Sequence, residues 1–218
     1  MNYKSLLLLL LFCFFFSLSA QQTTEISHYL FPEFTPGKVL MKGGRENPAL
    51  LNYNVATEEM VFNQNGQVLA LSEISLSQLD TVIIKARRFV LRDHKFVEVL
   101  HGNGYKLLAR YKCKILPPPK PAAYGGTSHT TSVDSYSSWQ GDGRLYDLKL
   151  PDNYEVRPYT IYFLNNGSDW KEIKSMKQLK NIYKKKRTLF EKYQSQHKPA
   201  YEDEEAVALL VHFMETNN

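Results

Sequence analysis

The sequence predicts a mainly β protein of the α+β class: an antiparallel β-meander forming a small barrel or sandwich, a polar linker, then two strands and two or three C-terminal helices. Three observations predict it. Between residues 37 and 116, short runs rich in Val, Ile, Leu, Tyr and Phe alternate with turn signals. Residues 117–143 change to Pro, Gly, Ser and Thr. Beyond Ser175 the apolar period lengthens from that of a strand to that of a helix.

The elements follow in order. Met1-Asn2-Tyr3-Lys4 is a short basic start, Ser5 to Leu18 is apolar with six consecutive leucines, and Ser19-Ala20-Gln21 offers small residues for cleavage. That three-part pattern is expected of a secretory signal peptide over residues 1–20, since the apolar run is shorter than the ~20 residues that span a bilayer. An uncleaved anchor is the alternative, because Leu18 is bulky where a small residue is usual, and Cys13 is a poor lipid-attachment site after Phe12. Cleavage would remove Cys13 and Lys4, leaving Cys113 as a lone thiol without an intrachain disulfide and lowering the formal charge of +5 by one. Neither the mild charge nor export suits nucleic-acid binding, and no later segment is long and apolar enough to cross a membrane.

An antiparallel β domain is expected over residues 26–116. Its runs are Val39-Leu40-Met41, then 49–53, 59–63, 68–71, 81–85, 89–92, 96–101 and 106–115. Turns fall at Gly43-Gly44, Asn65-Gly66, Asp93-His94-Lys95 and Gly102-Asn103-Gly104, and Asn-Gly is the pair that best fits a two-residue hairpin. Phe96-Val97-Glu98-Val99-Leu100 alternates as a sheet wetted on one face does. Residues 117–143 open on Pro117-Pro118-Pro119-Lys120-Pro121 and read as a linker or long surface loop. A small α+β tail is expected over 144–218, with strands at 145–150 and 159–165. Ser175-Met176-Lys177-Gln178 carries the residues of a capping box, and Met176, Leu179, Ile182 and Tyr183 recur at helical spacing. Leu189, Phe190 and Tyr193 suggest a second short helix after a break at 184–187. A third is expected over 203–214, with Val207, Leu210, Val211 and Met214 on one face and Glu202 to Glu205 favoured by its dipole.

The strings Gly37-Lys38-Val39-Leu40-Met41-Lys42-Gly43-Gly44, Leu51-Asn52-Tyr53-Asn54, Met60-Val61-Phe62, Asp80-Thr81-Val82-Ile83-Ile84 and Arg88-Phe89-Val90 resemble uncharacterised secreted proteins of Gram-negative bacteria, as do Ala122-Ala123-Tyr124-Gly125-Gly126 and the Lys-rich tail. The resemblance implies a β-rich exported module with a helical tail. It carries over no activity and no catalytic residue.

Chemistry is sparse. The six histidines form no i, i+4 pair, and His94 and His101 flank one strand, so no metal site is expected. No Gly-x-Ser-x-Gly elbow and no phosphate loop is present, and Thr127-Ser128-His129 with Asp134 lies on a segment with nothing to hold a triad together. Glu58, Glu59, Glu73, Asp80 and Glu98 sit in or near the sheet and could supply the paired carboxylates of a hydrolase. Cys113 lacks a neighbouring base and reads as a small buried residue. The charge concentrates between Lys171 and Lys192, where Lys177, Lys180, Lys184, Lys185, Lys186 and Arg187 are candidate contacts to an anionic surface, against the plainer reading of a solvated helix face. Fourteen tyrosines and two tryptophans suit carbohydrate or protein contacts as well as ordinary strands. The functional expectation is an exported, non-catalytic binding or structural module of the cell envelope, periplasmic or at the cell surface. Its partner would be an envelope protein or glycan, with no cofactor. A glycan or peptide hydrolase and an anionic-envelope binder are the alternatives.

Overall fold

The computed structural model describes residues 28–116, 120–121, 127–128, 155–167 and 169–217. The expected signal peptide and 145–150 strand, most of the expected linker, and the His129 and Asp134 readings lie outside the described residues. Ten strands form one antiparallel sheet: β1 (Thr35–Met41), β2 (Glu46–Asn54), β3 (Glu59–Gln64), β4 (Gln67–Ala70), β5 (Leu79–Ile84), β6 (Arg87–Arg92), β7 (Lys95–His101), β8 (Lys106–Leu116), β11 (Glu155–Asn165) and β12 (Lys171–Ile173). Within the segment read as a linker, β9 (Lys120–Pro121) pairs with β10 (Thr127–Ser128).

The strand runs between residues 39 and 115 are as the alternation predicts, and the turn chemistry explains why. Asn65 (φ 54°) and Gly66 (φ 83°) are both left-handed, and the Asn63 side chain accepts the Gly66 N–H, so β3 and β4 close on a two-residue turn. Asp93 and His94 do the same between β6 and β7. The meander is interrupted once. After β4 the chain makes a short helix, α1 (Glu73–Ser77), capped by Ser72, and returns so that β5 pairs with β1 instead of β4. The sheet order is therefore β4-β3-β2-β1-β5-β6-β7-β8-β11-β12. Gly37 makes the return possible: a Cβ there would lie 2.5 Å from the Ile83 carbonyl oxygen.

The barrel or sandwich expected from the sequence resolves, among the described residues, as a single unclosed sheet with β4 and β12 at its edges. Side chains do part of what closure would have done. The β2–β3 turn lies against β7 and β8: Lys95 Nζ donates to the Thr57 carbonyl (3.1 Å) and the Tyr53 hydroxyl to the Tyr111 carbonyl (3.1 Å). Beyond the linker, β11 pairs with β8 over eleven residues, from Glu155↔Leu116 to Asn165↔Lys106, so residues on both sides of that segment share one sheet.

One face of the sheet meets the helices α2 (Met176–Ile182), α3 (Arg187–His197) and α4 (Glu204–Thr216), with a 3-10 turn at Lys184–Lys186. Tyr53, Phe89, Tyr111, Tyr162 and Leu164 from the sheet join Leu179, Phe190, Val207, Leu210 and Met214 from the helices in the main core. Alternation puts Val97, Leu108, Ile161 and Phe163 in a second cluster on the opposite face. The caps are those the sequence announces: Ser175 accepts from the Gln178 N–H, and Asp203 from the Ala206 N–H. Gln178 returns its side-chain oxygen to the Lys174 N–H, one residue earlier than a regular capping box.

Candidate functional site

The chemistry-bearing side chains of the sheet are drawn into two ion-pair sites. Glu98 on β7 accepts from Arg87 Nε at 2.9 Å and from the Tyr111 hydroxyl, and Arg87 also donates to Tyr111. The three side chains face inward because Arg87, Glu98 and Tyr111 occupy the same-face positions of neighbouring strands. The guanidinium lies over the rings of Phe31 (5.2 Å), Tyr111 (5.1 Å) and Phe89 (5.7 Å). Burial opposes the Arg87 charge, but the Glu98 hydrogen bond and the Glu98 charge outweigh it and hold Arg87 firmly protonated. Burial, and then the Glu98 charge, push the Tyr111 hydroxyl far above its ordinary range.

Glu58 forms the second site. It sits in the β2–β3 turn at φ 61° and is as buried as Glu98, each 6% exposed. Arg110 Nε (2.7 Å) and Lys112 Nζ (3.0 Å), both from β8, hold its two oxygens. Of the other sheet carboxylates, Glu73 is exposed on α1 and Asp80 accepts the Thr81 hydroxyl at 2.9 Å. Glu59 lies half-buried on β3. The two most buried carboxylates are thus neutralised by cations instead of being set against each other.

A cleft of about 920 Å³ runs from Tyr29, Leu30 and Val55 over β8 and β11 to the start of α4. Its lining brings together Tyr29, Tyr111, Tyr159 and Tyr201, the cations Lys112, Lys114, Arg157 and Lys174, and the carboxylates Glu202 and Glu204. Register builds it: Lys114 stands opposite Arg157, and Lys112 opposite Tyr159. Glu155 takes up Arg157 at 2.7 Å and Glu172 takes up Lys174 at 2.7 Å, while Lys114 is exposed. The Tyr201 hydroxyl is fixed by the Thr160 (3.0 Å) and Ile173 (2.7 Å) carbonyls. Burial raises the Glu204 pKa above the usual carboxylate value, partly countered by Arg87. Sequence reasoning missed this grouping, taking Glu202 and Glu204 only as favourable charges at a helix start; the β8–β11 register that assembles it carries no local signal.

The candidate anionic-surface contacts divide. Lys180 (2.9 Å) and Arg187 (2.9 Å) share the Glu191 carboxylate. Lys186 turns inward and donates to the carbonyls of Met214 (2.8 Å) and Asn217 (2.6 Å) at the end of α4, where a cation suits the helix dipole. Lys177, Lys184 and Lys185 are exposed.

His94 and His101 flank β7, and His101 instead stacks on Tyr105 with ring centroids 4.0 Å apart and lies 5.6 Å from His212. Among the described residues no group of three His, Cys, Asp or Glu is disposed to hold a metal ion. Cys113 is buried, and burial, then the Glu58 charge, push its thiol up to about 11. No helix among the described residues is long and apolar enough to cross a membrane. No protein family, curated protein or solved structure matches this chain.

Proposed function

We propose that the protein is an exported, non-catalytic binding module of the cell envelope, and that the cleft between β8, β11 and the start of α4 receives its ligand, a polar chain such as an envelope glycan or an extended peptide. The cleft carries this reading. Tyr29, Tyr159 and Tyr201 are partly exposed along it and offer ring faces, and side chains of both charges stand around them, the combination that recognises hydroxyl-rich or peptide ligands. The apolar N-terminal run and small residues at Ser19-Ala20-Gln21 support export. The binding reading is preferred over hydrolysis because Glu58 and Glu98 are each held by cations.

The test is titration of the purified protein with peptidoglycan fragments, envelope polysaccharide and unstructured peptides, followed by NMR. Saturable shifts at Tyr29, Lys114 and Tyr159, weakened by Lys114→Glu, are expected, with ligand recovered intact. Release of new reducing ends or peptide termini would favour the hydrolase. Glu204, the cleft carboxyl with a raised pKa, would then be the first residue to replace.

A further inference from the structure

We infer that the outward face of α2, the 3-10 turn and α3 is an electrostatic docking surface for an anionic, phosphate-bearing bilayer. Lys177, Lys180, Lys184 and Arg187 follow one another at intervals of three, four and three residues, the spacing of one helix face. The helix is broken at Tyr183, so spacing alone does not make the row continuous. The structure does: Lys180 from α2 and Arg187 from α3 meet on the same Glu191 oxygen, so the two helices present adjoining faces across the break. Leu179, Tyr183 and Phe190 are buried on the opposite side.

The row is positive after its internal pairing. Two cations share one carboxylate, and Lys177, Lys184 and Lys185 stand exposed beside them with no ion pair of their own among the described residues. Lys186 anchors the 3-10 turn to the end of α4, which fixes where its two neighbours project. The partner's chemistry follows from what the face contains and lacks. Its charges are mostly lysine point charges, suited to a diffuse field of headgroup phosphates more than to bidentate recognition of one group. Among the described residues the strongly exposed large apolar ones are Leu50, Ile74 and Leu209, none of them on α2 or α3, so nothing on those helices would insert into a bilayer. Docking is therefore electrostatic and reversible by salt. These lysines do not line the cleft, so the inference stands or falls separately from the ligand proposed for it.

The experiment is co-sedimentation of the full chain, expressed through an export route, with vesicles of phosphatidylglycerol and phosphatidylcholine, with phosphatidylcholine alone as the control for a retained leader. Binding to the anionic vesicles only, released by salt, is expected. The Lys177→Glu, Lys184→Glu, Lys185→Glu triple variant should lose about a hundredfold in partitioning. Glu191→Gln should bind more tightly than the parent, a gain that a misfolded variant would not give, with circular dichroism confirming the fold of both. Equal binding to the two vesicle types, binding indifferent to salt, a triple variant that binds like the parent, or capture of soluble polyphosphate without vesicle binding would overturn the inference.

Discussion

Glu98 and Glu58 are equally buried, yet their surroundings differ. Glu98 lies on the inward face of the sheet's curl, with an arginine that is 29% exposed but whose guanidinium lies over three aromatic rings. Glu58 caps the curl from a turn, and its two cations come from the opposite face of β8 with side chains 23% and 19% exposed. Loss of Glu98 leaves the guanidinium among aromatic rings and takes the acceptor from the buried Tyr111 hydroxyl as well; loss of Glu58 leaves two long side chains that no ring covers. A buried pair therefore reveals its importance by what the surviving partner can do, more than by its own geometry. The cleft reflects the same division: it borrows Tyr111 from the first site and Lys112 from the second.

The comparison can be broken most directly at Glu98. Glu98→Ala is expected to cost about 2–4 kcal/mol in urea unfolding, because it takes the acceptor from both the partly buried Arg87 guanidinium and the buried Tyr111 hydroxyl. Glu98→Gln, which keeps acceptors for Arg87 and Tyr111, should cost less. A Glu98→Ala variant no less stable than Glu58→Ala would remove the distinction. Glu58→Ala is expected to cost about 1–3 kcal/mol, because Arg110 and Lys112 can rehydrate. Glu58→Gly should recover about 1 kcal/mol of that loss, since φ 61° strains any residue with a Cβ.

Two smaller effects sharpen the picture. Glu204 sits within reach of the Arg87–Glu98 charges, and burial raises its pKa. Its folded form holds the proton more tightly than the unfolded chain does. That favours the fold at acidic pH, and the contribution is lost as pH rises through the unfolded carboxylate range to the raised folded value. Thermal melts of Glu204→Gln should therefore show a weaker loss of stability over that interval than the parent. An identical pH profile would show that Glu204 is solvated. Cys113, with its thiol at about 11, should react slowly with a disulfide reagent in the native protein and fast in denaturant. Glu58→Gln should speed the native reaction modestly by removing the charge that, after burial, raises the thiol. Native reactivity equal to that of the denatured chain would mean that the thiol is not enclosed.

The sequence by itself determined what depends on neighbours along the chain. Alternation placed β1 to β8, the left-handed pair Asn65-Gly66 closed a hairpin, and Ser175 and Asp203 started helices, because each signal lies within a few residues of the element it governs. The break near residues 184–187 was legible for the same reason. Tertiary structure alone decided which strands meet. Nothing local says that β5 returns to β1, that β11 extends β8 and so faces Arg157 with Lys114, or that one sheet stays open where a barrel was expected. Those outcomes depend on which apolar faces bury each other and on one close approach at Gly37. Charge was the least legible property: nine cations crowd residues 171–192, and only their packed positions separate Lys186, bound to the end of α4, from Lys184 and Lys185, which point to water. The cleft shares that origin, because its walls come from parts of the chain that only the closing of the fold brings into contact.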